Sequence, residues 1–391
     1  MSFFRFYHLI SAICSLVLIL IISACSPSIS SAEEELEQLK DYNEELLALV
    51  LKDGKWGFIN PYGEYVIPAQ YDRALPFSDG LACVGLKKAG GYTFHFIDKT
   101  GKTVLSPGLS AASFFRESFA AARMGSRICI IDKAGEAFGD YLYANNFRDG
   151  RALVMDKNNR MAYIDTAGQT IISLAANLKF NEARDFSEGR AAVMSKRPLR
   201  EGLDYTINAW GYIDRDGEEK VSPAYDIAYP FSNGYGRVLK DLKFGFVDRE
   251  GQMLGALEYR DAEDFSDGMA VVKKGDKYGY IDTNGNLVID YQFFRVKSFG
   301  DGLAPVMKKH KNRYAWGFIN KKGDWITEAI YTEAFPFKNG FSMFYHRDNG
   351  ITVGFLDTNG DTAVAPIFEK AENFMHPDSS NEFKVYLTPL Y

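Results

Sequence analysis

Short apolar runs separated by turns rich in Gly, Asp and Asn fill most of the chain, and the stretch from Phe265 to Phe299 shows the pattern with the fewest irregularities. Met269-Ala270-Val271-Val272-Lys273-Lys274 reads as a strand, and Gly275-Asp276 turns it into a second, Tyr278-Gly279-Tyr280-Ile281-Asp282, as a hairpin. Thr283-Asn284-Gly285 then fits a three-residue loop with Gly in the left-handed region, and Asp282 is suited to accept bonds from its own backbone. A third strand runs from Leu287 to Tyr291. The segment from Phe294 to Phe299 returns the chain to Gly300-Asp301-Gly302, where the next unit begins at Leu303.

Two phrases carry this unit along the chain. The first closes on Asp or Asn with Gly three residues later: Asn60/Gly63, Asp98/Gly101, Asp132/Gly135, Asp165/Gly168, Asp214/Gly217, Asp248/Gly251, Asp282/Gly285, Asn320/Gly323 and Asp357/Gly360. The second is a Phe-Ser-Asp-Gly turn, as in Phe77-Ser78-Asp79-Gly80, Phe186-Ser187-Glu188-Gly189 and Phe265-Ser266-Asp267-Gly268. Self-similarity at this spacing means a repeat array whose units bury their apolar faces against neighbours. Because aromatic and β-branched residues abound while helical spacing is scarce, the fold expected is all-β: about nine short antiparallel meander units in tandem. One large ring per unit at a fixed depth reads as a core plug between neighbours. An open, superhelical or solenoid-like array is expected, since the chain begins with one strand, Leu46 to Lys52, and ends on an equivalent one, Phe383 to Leu387. The alternative is a closed, propeller-like ring, because four short strands per unit also suit a blade.

The first 24 residues differ. Arg5 precedes an apolar run, Ile10 to Ile22, which ends in Ile22-Ser23-Ala24 before Cys25, so residues 1–24 read as an export signal helix. Ile22-Ser23-Ala24-Cys25 resembles a bacterial lipobox, and that resemblance implies cleavage before Cys25 and lipidation of its thiol. Residues 25–45 then form a tether with a possible short helix, and 46–391 the repeat domain. Cys83 and Cys129 are the only other cysteines outside the signal and read as small buried side chains. Net charge is −6 for the whole chain, so nucleic acid is not an expected partner.

Trp56-Gly57-Phe58-Ile59-Asn60, with Trp210-Gly211, Trp316-Gly317 and the softer Tyr278-Gly279, followed downstream by Phe-Ser-Asp-Gly, resembles the WG-repeat family of bacterial β-strand repeats from about Leu46 to Leu387. The Gly is replaced by His95, Cys129 and Ala162 in repeats two to four. The resemblance implies architecture and a binding or scaffolding role, with no catalytic residues to carry over. A weaker likeness to choline- and cell-wall-binding repeats serves as a functional analogy only.

No nucleophile elbow, P-loop or zincin motif is present, and neither a cofactor nor a metal site is expected. The Asp-x-x-Gly turns are too short to be calcium loops. The chain is therefore expected to be a membrane-anchored, extracytoplasmic lipoprotein of the cell or outer membrane that contacts another envelope protein through its repeat surface. The alternatives are a glycan or peptidoglycan binder using exposed aromatics and, last, an envelope enzyme. If each unit is a meander, all first hairpin tips share one edge. That edge gathers a basic rim, chiefly Lys196, Arg197, Arg200, Lys308, Lys309, Lys311 and Arg313 at two insertions, suited to an anionic polymer, lipid headgroups or an acidic protein.

Overall fold

A computed structural model describes residues 45–174, 180–198, 206–310, 313–347 and 350–380. The expected signal segment 1–24, the lipidation residue Cys25, nearly all of the tether and the strand Phe383 to Leu387 lie outside the described residues.

Residues Leu46–Tyr391 form one compact unit. Among the described residues it contains nine antiparallel sheets, eight of four strands and one of three. Each sheet is a blade that mixes two repeats: the short return strand of one repeat pairs with the three meander strands of the next. Blade 2, for example, orders Arg73–Ala74, Ala82–Lys88, Gly91–Ile97 and Thr103–Leu109 from one side to the other. Blade 8 has Arg295–Val296, Leu303–His310 and Arg313–Asn320, with an irregular segment bridging at Trp316↔Tyr331 and Ile319↔Trp325 in place of its outermost strand.

The same offset closes the ring. Lys370–Ala371, the return strand of the last repeat, pairs with Ala48–Lys52 of the first through Val50↔Ala371 and Leu51↔Lys370, and Leu47 bridges Met375. Leu46, Ala48, Val50 and Ile59 share one core cluster with Val353, Phe355, Val364 and Phe374. The array is therefore a closed nine-bladed β-propeller, and the open solenoid expected from the strand count is wrong. That count treated the return segment as part of its own repeat. In space it belongs to the next one, so the ninth return strand can complete only the first sheet, and the radial repetition leaves only the short edges of each blade.

Three local devices repeat around the ring. The Asp or Asn of every Asp-x-x-Gly turn accepts backbone N–H bonds from residues two and four further on; Asp282 Oδ1 takes Asn284 N at 2.9 Å and Asn286 N at 2.8 Å. The turn Gly has φ near +80° and rests on a side chain of the preceding blade, Gly285 on Leu254, and at the closure Gly63 on Val364.

The Gly of Trp-Gly answers to a different constraint. Trp210 pairs with Tyr225 but Tyr212 with Val221, so the outer strand bulges by two residues directly over Gly211. A Cβ on Gly211 would lie 2.2 Å from the Val221 carbonyl oxygen, and one on Gly57, Gly279 or Gly317 would meet the outer-strand backbone of its own blade at 2.6, 2.5 and 2.8 Å. Pro68, Pro223 and Pro366 lie in such bulges, where no ladder donor is required. Where Ala162 replaces the Gly, Ala162↔Ser173 and Tyr163↔Ile172 run without a bulge, whereas over His95 the bulge is kept, Phe94 pairing with Leu109 and Phe96 with Leu105.

The third device joins blades. In nearly every repeat the aromatic after Gly packs against the Phe of the next Phe-Ser-Asp-Gly turn, with ring centroids at 4.8 Å for Phe58–Phe77, Tyr212–Phe231 and Tyr280–Phe299. Where that aromatic is Tyr its hydroxyl is satisfied, Tyr212 donating to Tyr229 O at 2.7 Å and Tyr280 to Lys297 O at 2.9 Å. The Ser and Asp of the turn then reach the following blade. Ser232 Oγ donates to Phe265 O at 2.6 Å and Ser266 Oγ to Phe299 O at 2.7 Å. Asp149, Glu188, Asp267 and Asp301 accept from the N–H of Gly189, Gly234, Gly302 and Gly340 at 2.6 to 2.8 Å. The Asp itself sits at positive φ, 52° at Asp267, a region that Asp and Asn enter more readily than bulkier residues. At the closure the main chain substitutes, Gly80 N donating to Pro377 O at 2.9 Å and Asp79 N to Ser379 O at 3.0 Å.

Gly211→Ala should destabilise the ring by more than about 2 kcal/mol in urea unfolding, because the outer strand must move. Gly189→Ala, with open space around it and only positive φ to oppose the methyl, should cost about 1 kcal/mol. Equal costs would remove the bulge as the reason for the Trp-Gly motif. Asp267→Ala should cost about 1 to 3 kcal/mol through the orphaned Gly302 N–H. Asp267→Asn should cost clearly less, since Asn233 already makes the equivalent bond to Gly268 N. If the two variants unfold alike, the inter-blade acceptor is not what Asp267 contributes.

Candidate interaction surfaces and central channel

Strand direction sorts the connections onto two faces. Hairpin tips between the first and second meander strands lie on one face, and the Asp-x-x-Gly and Phe-Ser-Asp-Gly turns on the other. On the tip face Lys196 is exposed on blade 5, and Lys308, Lys309 and Arg313 are exposed at the long blade 8 hairpin. Arg197 lies in the strand Arg190–Pro198, while Arg200 and Lys311 fall outside the described residues. The sequence-read rim therefore comprises two groups three blades apart. Between and beyond them the tip cations meet acids: Lys55–Asp72 at 2.6 Å, Lys157–Asp140 at 3.0 Å, Lys274–Glu258 at 2.9 Å and Arg260–Asp276 at 3.2 Å. Blade 8 differs. Among the described residues its three cations have no acid in ion-pair reach, and Lys308 Nζ lies 5.0 Å from the centroid of the Trp325 ring. The turn face carries the acids, but most are spent inside the fold as turn acceptors and blade clasps.

The motif residues themselves are structural. Trp210 and Trp316 are buried, Trp56 is half-buried, and Gly63, Gly217, Gly285, Gly323 and Gly360 face the neighbouring blade. Cys83 and Cys129 are buried and unbonded to each other, and burial pushes the Cys83 thiol up to about 12, away from thiolate chemistry. Of the large exposed rings, Tyr65 and Trp325 share one repeat position and Tyr92 and Tyr314 another, while Tyr62 and Phe294 stand at others, so no single position carries an exposed ring in every repeat. Phe294 and Tyr314 stack at 5.2 Å beside the blade 8 tip.

The feature that sequence reading missed is the channel. Return segments of successive blades converge on common cavities. One of about 1280 Å³ spans blades 4 to 7 and is lined by Asn145, Arg148, Arg184, Asp185, Tyr229, Arg237 and Asp264 among others. A second of about 550 Å³ reaches from blade 7 across blades 8 and 9 to the closing return segment of blade 1, with Phe335, Pro336, Glu372 and Asn373 in its lining. The signal was present in the repeats. The residue after the small Ala of each return strand is Leu75, Ser113, Asn145, Arg184, Tyr229, Glu263, Phe335 or Glu372, varying without pattern inside an otherwise repeated phrase.

Electrostatically each acid of the larger cavity, among the described residues, is met by a donor, and Arg184 lies apart from them. Asp185 takes Asn145 Nδ2 and lies 3.9 Å from Arg148 Nε. Arg237 donates from Nε to Asp264 at 2.7 Å, and its guanidinium lies 3.5 Å from the Tyr229 ring centroid. Arg184 stacks between Trp210 at 4.9 Å and Tyr229 at 5.4 Å. Further round the ring, desolvation holds the carboxyls of Glu263 and Glu372 above their usual range, Glu263 also accepting Ser298 Oγ at 2.7 Å. Three serines of the cavity wall, Ser187, Ser232 and Ser266, donate to the Phe231, Phe265 and Phe299 carbonyls, so their hydroxyls serve the clasps.

A solved eukaryotic initiation factor chain shares 12% identity and a TM-score of 0.58, over 86% of this chain and 99% of that one, and is similar in fold. BamB from Moraxella catarrhalis (8% identity, TM-score 0.33, 80% and 91% covered) and a puromycin hydrolase S511A mutant (13%, 0.36, 78% and 55%) align too loosely to bear on the argument. No curated protein matches the sequence. The WG containing repeat family matches residues 56–87, 96–127, 161–196, 210–243, 244–278, 278–311, 316–348 and 354–376, and the gap between 127 and 161 falls on the repeat with Cys129 for Gly and Ile130 for the aromatic. With most of the ring so matched, the chain belongs to the WG-containing repeat family.

Proposed function

We propose that this propeller is a non-catalytic binding or scaffold protein, held at an extracytoplasmic membrane surface by a lipid on Cys25. The observation that carries the reading is a division of labour. Residues that recur build the ring, whereas several that vary at one fixed repeat position, Asn145, Arg184, Tyr229, Phe335 and Glu372, line the cavities, where a partner would meet them. The leading partner is an envelope protein or anionic envelope polymer met by the unpaired cations of blade 8. Burial of the repeated Trp and Tyr rings argues against sugar stacking along the ring. A glycan reading keeps one observation in its favour, the exposed Phe294–Tyr314 stack and Trp325 on blade 8.

Cys25→Ala should move the protein from the membrane to the soluble fraction; unchanged fractionation would remove the lipid anchor. Replacing Lys308, Lys309, Lys311 and Arg313 with Ser should weaken low-salt pelleting of the purified protein with isolated envelope by up to roughly a thousandfold, at about 1 kcal/mol per cation near an anionic surface. Pelleting that is insensitive to both salt and the substitutions would exclude the blade 8 cations as the contact.

A further inference from the structure

The acids of the larger cavity are all committed. Asp185 serves Asn145 and Arg148, and Asp264 serves Arg237. At the turn-face end Asp149 and Glu188 accept Gly189 N and Gly234 N, and their outer partners are Arg215 at 3.7 Å and Arg249 at 3.0 Å. Arg184 is different: among the described residues no acid lies within ion-pair reach of its guanidinium and no hydrogen-bond acceptor is placed on it. Its only partners are the faces of Trp210 and Tyr229, which hold the plane and leave the N–H fork unspent. A cation half-buried in a cavity wall, oriented by two rings and matched by no acid, is suited to bidentate recognition of a carboxylate.

The rest of the wall indicates what carries that carboxylate. Leu142, Tyr143, Met155 and Met161 line the same cavity, so an apolar surface accompanies the fork. A cavity of about 1280 Å³ that crosses several blades exceeds the range of about 300 to 1,000 Å³ usual for a small molecule. We propose that the channel between blades 4 and 7 binds an extended acidic peptide segment, its carboxylate held by Arg184 and its apolar side chains laid against Met155 and Met161. Arg237 and Arg148 take no part in that ion pair, because Asp264 and Asp185 already occupy them. This deepens the binding-protein reading by naming a partner class at the channel, and it is independent of the blade 8 cations.

The test is calorimetric titration of the full chain in detergent with a capped peptide of alternating Leu and Glu, against the same peptide with Gln for Glu. The Glu peptide should bind at least about tenfold more tightly, with the difference shrinking as salt rises. Arg184→Gln should abolish that preference, while the variant with Ser at 308, 309, 311 and 313 should retain it. Should Arg184→Gln fail to fold, Met155→Glu, which adds a carboxylate to the cavity wall, should remove binding instead. Equal affinity for the two peptides, no binding of either, or a preference that survives Arg184→Gln (or Met155→Glu in its place) would overturn the proposal. Loss of the preference in the blade 8 variant would do the same, placing the contact outside the channel. Because envelope pelleting reads the blade 8 cations separately, the two readings can fail independently.

Discussion

The ring depends on one repeated contact between neighbours, the clasp in which the Phe-Ser-Asp-Gly turn of one blade bonds the backbone of the next. Propeller blades touch through their faces, and a face contact made only of side chains fixes distance better than it fixes rotation. The Phe supplies distance: a buried ring against a buried ring contributes roughly 1.5 to 3 kcal/mol of apolar burial for each side chain. The Ser and Asp supply orientation, because a hydroxyl on a carbonyl and a carboxylate on an N–H tolerate little sliding. Asp267 holding Gly302 while Asp301 holds Gly340 shows how the bonds follow one another in a single sense around the axis. Each blade is then located by the one before it, and the ninth return strand brings the last repeat back onto the first sheet.

Closure has to be made by something other than the repeated phrase, since after Phe374 the turn reads Met375-His376-Pro377. There the main chain takes over, with Pro377 O and Ser379 O accepting from Gly80 and Asp79, and the short pairing of Lys370–Ala371 with the first meander strand. A two-residue ladder is weak alone. It suffices because the Leu46 to Val50 strand and the Val353 to Phe374 region share a core, so the hydrogen bonds need only set register on a contact that burial already favours.

Much of this was legible in the residues. The period, the meander order, the Asp-x-x-Gly turns and the placement of Phe between units all follow from spacing and turn chemistry, because each depends on contacts within a few residues. Closure did not follow. A return segment of two paired residues, such as Arg73–Ala74, leaves no pattern that says which neighbour it joins, and counting Phe383 to Leu387 as one more first strand pointed to an open array. The reason for Trp-Gly was also out of reach, since the atom that excludes a Cβ at Gly211 is the Val221 carbonyl on another strand. The basic rim was half legible: Lys308, Lys309 and Arg313 share one tip, but the acids that neutralise other tips, such as Asp72 against Lys55, come from the far end of the outer strand.

The channel was missed for an instructive reason. Reading repeats rewards sameness, and the residue after the small Ala of each return strand is the one that refuses it: Asn145, Arg184, Tyr229, Glu263, Glu372. In a ring where the clasps constrain nearly every neighbouring position, variation at that depth costs little stability where the side chain lines a cavity instead of a packed interface, as Asn145, Arg184, Tyr229 and Glu372 do. The same freedom lets charge accumulate unevenly. Among the described residues Arg184 stands without an acid, while Glu263 and Glu372 are held above the ordinary carboxyl range by desolvation. A channel built only to be filled would match its charges all the way round. This one does so at Arg148 and Arg237 and not at Arg184, and the departure lies where two aromatic rings hold the guanidinium still.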